Sequence, residues 1–225
     1  MLLWPAGWAP PAMRHYLTLV LFGALIILGF RLPSPAVRFR GGVLFDALVR
    51  RYVRIRSAAG RRRAARVSDR FLWTLSSWSV VVDALLVATL VHHRLDFAWR
   101  LATMDAFSLG LTGSIVMLTK KLIGRERPHV TPEEARHPED SLSFFGGHAA
   151  MAFTGAGLVW FQHHHLALYG GGAWDVAIGV VALCAAAVTA SLRVVADKHY
   201  LSDVLVGSSI GLVSGLIVPA LVFAR

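Results

Sequence analysis

Apolar residues fall in long blocks, and short polar stretches separate them. A helix needs about 20 apolar residues to cross a bilayer. On that measure six spans are expected, at about 16–30, 71–91, 101–119, 148–161, 174–195 and 204–223. The first is short, and tilt or local thinning of the bilayer would accommodate it. The fifth is rich in Ala, Val and Gly, and its small residues permit close helix packing. The expected fold class is therefore all-α, a six-transmembrane helical bundle. A length of 225 residues fits one such membrane domain, 1–225, and leaves no room for a second of normal size. Residues 1–13 are rich in Pro and Trp but lack a basic n-region and a clear cleavage site, so they are not read as a cleaved signal peptide.

The stretch between the first two runs, 31–70, has a different pattern. Pro33 and Pro35 end the first helix. Apolar side chains then recur at Leu44, Phe45, Leu48, Val49, Tyr52 and Ile55, with Arg50, Arg51, Arg54 and Arg56 largely between them. This spacing predicts an amphipathic helix lying in the membrane interface. Gly60 followed by Arg61, Arg62 and Arg63 is expected to break it.

Charge sharpens that picture. The chain is 56% hydrophobic and 16% charged, far from the balance of a soluble domain. Its net charge is +10, and segment 31–70 carries all of it, with twelve Arg against Asp46 and Asp69. A basic block between two spans points to anionic membrane lipids as its partner, not to nucleic acid. Cys184 is the sole cysteine, so no intramolecular disulfide can form. Asp83 falls inside the second span and Asp105 near the start of the third. An intramembrane carboxylate is a candidate functional group. The run His163-His164-His165 looks metal-like, but adjacent histidines rarely converge, and no Cys or carboxylate stands near in sequence.

Three polar segments carry candidate chemistry. In Ser191–Asp203, His199 and Asp203 are four residues apart, so on a helix they share one face. A carboxylate on one imidazole nitrogen leaves the other free to act as nucleophile or base. Arg193 adds a permanently charged fork suited to phosphate oxygens. In Lys120–Val130, Lys120, Lys121, Arg125 and Arg127 cluster where the third span ends, and Pro128 disfavours a continuing helix. In Ser143–Ala150, Gly146 and Gly147 precede His148 at the start of the fourth span, where backbone N–H groups can approach an anion. With six spans, all three segments share one membrane face. Their cations, imidazoles, carboxylate and helix N-terminus suit a tetrahedral phosphate.

These residues resemble the type 2 phosphatidic acid phosphatase superfamily. Lys120, six residues, then Arg127-Pro128 is similar to its first signature, Ser143–His148 to its second, and Arg193, five residues, His199, three residues, Asp203 to its third. The resemblance implies a membrane phosphatase acting on a lipid phosphate or diphosphate. Phosphatidate, phosphatidylglycerol phosphate, a polyprenyl diphosphate and a sphingoid phosphate all fit. It implies that Lys120, Arg127 and Arg193 hold the phosphate, with Gly146 and Gly147 beside it. His199 would attack phosphorus, Asp203 would orient it, and His148 would protonate the leaving oxygen. No metal or other cofactor is implied. Two departures stand out: Gly146 replaces the usual Ser, and Leu192 precedes Arg193 where Ser is usual. A headgroup phosphotransferase and a non-catalytic lipid-phosphate binder are the alternatives. The resemblance also implies the cell (inner) membrane with an extracytoplasmic site, whereas the arginines of 31–70 argue for the opposite side.

Overall fold

The computed structural model describes residues 4–130 and 137–224. Among them are seven helices and no β-strand: α1 (Met13–Arg31), α2 (Asp46–Val53), α3 (Ala58–Val91), α4 (Leu95–Ile123), α5 (Gly147–Leu166), α6 (Ala173–Val195) and α7 (Leu201–Val222). Widened π turns run through Ser79–Val91 of α3 and Val213–Ile217 of α7. Five helices, α1, α3, α4, α6 and α7, are long and apolar enough to cross a membrane, and they make this a multi-pass membrane protein.

Helix α5 is the exception, and its place in the bundle explains why. Fourteen of its twenty residues are buried, against three of nineteen in α1. It packs against α3, α4, α6 and α7, so its outward face meets protein and need not be strongly apolar. Instead it is small. A Cβ at Gly155 would overlap the carbonyl oxygen of Leu75 in α3, and one at Gly211 of α7 would overlap the carbonyl of Ala150 in α5. Backbone thus meets backbone on two sides of α5, and glycine is required for that approach.

The basic segment departs from expectation. Residues 58–70 are no break in the pattern; they are the first turns of α3. The Ser57 hydroxyl accepts from the Gly60 N–H and caps this helix. Arginine is a good helix former, so Arg61, Arg62, Arg63 and Arg66 extend the span instead of interrupting it. The amphipathic element is shorter than its sequence pattern, eight residues in α2. Its Leu48, Tyr52 and Val53, with Leu44 and Phe45 before it, are exposed.

One end of the bundle gathers the ends of α1, α4 and α6, the starts of α3, α5 and α7, and all of α2. The opposite end holds a separate buried polar network. His163 Nδ1 lies 2.6 Å from Asp175 Oδ1, and its Nε2 lies 3.4 Å from Asp83 Oδ2. The Tyr169 hydroxyl donates to Asp83 at 2.8 Å, and Gln162 donates to Asp105. Asp83 and Asp105 therefore act as internal ties between helices. The three consecutive histidines have different surroundings: His163 is buried among carboxylates, His164 stacks on Trp160 and meets the edge of His165, and His165 lies against Phe161 and Trp8.

The glycine contact is directly testable. Gly155→Ala should lower stability by about 1–3 kcal/mol, the usual cost of overpacking. Thermal unfolding in detergent reads this, and an unchanged midpoint would mean that α3 and α5 are not in backbone contact.

Candidate active site

The polar end is built around the turn that links α6 to α7. Residues 196–200 fold back tightly, with the Lys198 and His199 N–H groups both donating to the Arg193 carbonyl. Asp197 takes a left-handed conformation at φ 61, which Asp tolerates better than most residues. Its carboxylate is held by Arg50, at 2.7 and 2.9 Å, and by Arg54, at 2.8 Å. Helix α2 is thereby strapped across the turn, a second role for arginines that the sequence pattern places at a membrane interface.

His199 is buried, with its Nδ1 facing Asp203 Oδ2 at 3.8 Å. That is beyond hydrogen-bond length, and Nδ1 has no hydrogen-bond partner among the described residues. Burial pushes the imidazole well below its ordinary pKa. The charges of Lys120, Arg127, Arg193 and His148 push it further the same way. His199 is therefore neutral at pH 7 and presents a lone pair. These four groups, from α4, the α4–α5 loop, α6 and α5, thus lie within electrostatic reach of one imidazole.

Asp203 is held by three donors. The Arg125 guanidinium binds Oδ1, the Ser143 hydroxyl donates to Oδ2 at 2.6 Å, and the Tyr200 N–H caps α7 through Oδ2 at 3.0 Å. Arg125 continues to Asp46 Oδ2 at 2.9 Å and lies over the Tyr200 ring at 4.3 Å. Asp46 in turn accepts from the N–H and hydroxyl of Ser202 at 2.8 and 2.6 Å. One buried chain of charges and hydrogen bonds thus fixes α2, the α4–α5 loop and the start of α7.

The three cations expected to bind phosphate are differently placed. Lys120 has no carboxylate within ion-pair distance among the described residues, and it lies beside the start of α5: a Cβ at Gly147 would be 3.4 Å from Lys120 Nζ. Arg127 is buried, and among the described residues its one carboxylate within ion-pair distance is the exposed Glu139, at 3.5 Å. Burial lowers its pKa, although the group stays charged. Arg193 donates to Asp69 Oδ1 at 3.1 Å, and the same oxygen lies 2.8 Å from His148 Nε2. His148 is on the first turn of α5, where the N–H groups have no intrahelical partner and favour an anion.

Gly146 does not supply a donor for an anion. Its N–H donates to the Asp203 carbonyl at 2.9 Å. Its φ is −63, which any residue adopts, so conformational freedom is not its reason. A Cβ there would sit 3.3 Å from the same carbonyl, so the glycine serves a close approach between α5 and α7. Gly147 is the member of the pair that faces Lys120.

The site residues that sequence reasoning missed are Asp69, Arg125 as a partner of Asp203, Ser143 and Asp46. Asp69 had one signal: it is the last acid in an arginine-rich run just before a span. Arg125 was visible in the cation cluster, but spacing alone gave it no partner.

Fold and site define a helical membrane protein with a cation-rich histidine–aspartate centre at one end of the bundle. The PAP2 superfamily family model matches residues 101–225, more than half of the sequence, and the chain belongs to that superfamily. A crystal structure of the first transmembrane PAP2 type phosphatidylglycerolphosphate phosphatase from Bacillus subtilis resembles this chain with a TM-score of 0.60 and 18% identity, over 92% of this chain and 94% of that one. A crystal structure of Aquifex aeolicus LpxE matches with a TM-score of 0.38 and 21% identity, over 91% and 87%. At such identities the first likeness is one of fold. Among curated proteins no match is found.

Removing Arg125 tests the charge chain. Arg125→Ala strands two buried carboxylates, and breaking a buried pair from one side costs about 3–5 kcal/mol. Thermal unfolding should show a large loss for Arg125→Ala and a smaller one for Arg125→Lys. Equal, small losses would mean that the network does not organise this end.

Proposed function

We propose that this protein is a membrane phosphatase that hydrolyses a lipid phosphate or diphosphate through a phosphohistidine at His199. The observation that carries this reading is a buried histidine, His199, facing Asp203, at the end of the bundle where Lys120 abuts the start of α5 and where Arg193 and His148 share Asp69. Lys120, Arg127 and Arg193 neutralise the phosphate oxygens and the charge that builds on them in the transition state. Nδ1 of His199 faces Asp203, so Nε2 is the attacking atom. Asp203 orients the ring and stabilises the charge that the ring acquires.

An alkoxide is a poor leaving group, and a proton donor opposite the nucleophile lowers the barrier. His148 fills that role, oriented by the Asp69 carboxylate 2.8 Å from its Nε2. Water then attacks the phosphohistidine and releases phosphate. No metal takes part in this scheme, because fixed cations already supply the charge.

The whole chain acts as one membrane domain. Helix α5 is the sixth span, shielded from lipid by its neighbours. Helix α2 lies at the membrane interface with Leu44, Phe45, Leu48 and Tyr52 turned toward lipid, where segment 31–70 meets anionic headgroups. An amphiphile then enters sideways, with its phosphate at the interface. The site faces the extracytoplasmic side of the cell membrane, which makes the basic segment an exception to the usual charge bias.

Phosphate release from lipid phosphates tests this. His199→Ala should abolish turnover without loss of folding, and Asp203→Asn should lose less. Wild-type-like release by His199→Ala would defeat the mechanism. Activity should survive EDTA; loss on chelation, restored by Mg²⁺ or Zn²⁺, contradicts the metal-free scheme.

The pH dependence has a defined sign. The nucleophile is lost only as pH falls through a value well below the ordinary 6.5. The contribution of His199 to kcat/KM should therefore stay level from pH 7 to about 6.5. A nucleophile titration centred at 6.5 in single-turnover phosphorylation would show that the buried imidazole is not neutralised as described.

A further inference from the structure

Beside the cation cluster lies a cavity of about 640 Å³ that the scheme above does not use. Its polar lining comes from Arg61, Arg62, Arg66, His129 and Lys198, and none of the described residues lining it is acidic. Two lining residues abut the catalytic groups in sequence: Lys198 precedes His199, and His129 follows Arg127-Pro128. Lys198 lies within electrostatic reach of Arg127 and Arg193, which do not themselves line the cavity.

Among the described residues the arginines and the lysine here are not consumed by ion pairs, while His129 lies 3.8 Å from Asp140. Arg61 donates to the carbonyls of Ile55 and Arg56 and keeps its charge. Arg62, Arg66 and Lys198 have no carboxylate within ion-pair distance among the described residues. Glu139 and Asp140 lie within electrostatic reach of Lys198, but neither lines the cavity. The neighbouring basic cleft differs, because its Arg50 and Arg54 are both committed to Asp197. A concave, positively charged space whose lining includes the chain neighbour of His199 favours a second anion near the first.

We propose that this cavity is an anion subsite for a second phosphate in the headgroup of the lipid substrate, joined to the scissile phosphate directly or through a short linker. The proposal rests on the phosphatase reading and narrows its substrate class. Arg62 and Arg66 are the selective contacts. They lie one turn apart on α3, so both can reach one phosphate. Lipids whose only anion is the scissile phosphate leave the cavity empty and gain nothing from it.

The test uses full-length wild type and the Arg62→Ala/Arg66→Ala double variant in neutral detergent. Both residues are exposed, and thermal unfolding checks that the variant folds. Three probes share diacylglycerol tails: phosphatidate, diacylglycerol diphosphate and phosphatidylglycerol phosphate. Only the last two carry a second phosphate. For at least one of these, kcat/KM should fall about tenfold, while phosphatidate stays within about twofold. Equal losses on all three, or no loss on any, overturn the subsite.

Two further arms separate other sources of the anion. A cavity for a separate lipid would make the variant differ only when phosphatidylglycerol is mixed into the micelles, equally for every probe. A cavity for free phosphate would change only inhibition by added inorganic phosphate. Either outcome overturns the proposal. Wild type that turns over none of these probes, nor a polyprenyl diphosphate or a sphingoid phosphate, would instead defeat the phosphatase reading, and the subsite with it. Wild type active only on the last two overturns the subsite as drawn for these headgroups.

Discussion

The buried contact between Arg125 and Asp203 is the constraint on which the functional end depends. Asp203 must sit near His199, yet an unpaired carboxylate in that place would be costly. Arg125 neutralises it and reaches on to Asp46, which ties down α2 and the start of α7. Such a pair adds little net stability, because desolvation offsets most of the Coulomb gain. Its value is positional. Three segments distant in sequence can meet in only one register if Arg125, Asp46, Asp203 and Ser202 are all to be satisfied.

A second constraint runs along the centre of the bundle. Small residues let α5 approach α3 and α7 until backbones touch, and this sets its N-terminus among the cations. Gly146 closes that contact at the site itself, through its N–H on the Asp203 carbonyl. Second and third signatures are thus joined by a main-chain hydrogen bond. Substitution at Gly146 acts first on helix spacing and only then on the phosphate.

Much of this was legible in the sequence. Apolar blocks located the spanning helices, because lipid-facing segments must be apolar along their length. The resemblance marked Lys120, Arg127, His148, Arg193, His199 and Asp203 as candidates, although no two of them share an element. They come from α4, the α4–α5 loop, α5, α6, the turn before α7 and α7, so His199 and Asp203 do not lie on one helix as their spacing suggests. Sequence did not reveal pairings across elements. Asp69 sits on α3, 79 residues from His148, and no local pattern joins them. Asp83 looked like an isolated intramembrane charge, and only the fold brings Tyr169 and His163 to it. The extent of α3 was misread for another reason: arginine-rich and apolar stretches look like separate elements, although a single capped helix carries both.

The central claim is that His199 carries the phosphoryl group. The most direct measurement is rapid quench of the enzyme with a lipid bearing a labelled terminal phosphate, followed by analysis of the labelled protein. The account predicts a transient label on His199 that is labile in acid and stable in base, as a phosphoramidate should be, and that is absent from His199→Ala. An acid-stable label, or one that persists in His199→Ala, would contradict it.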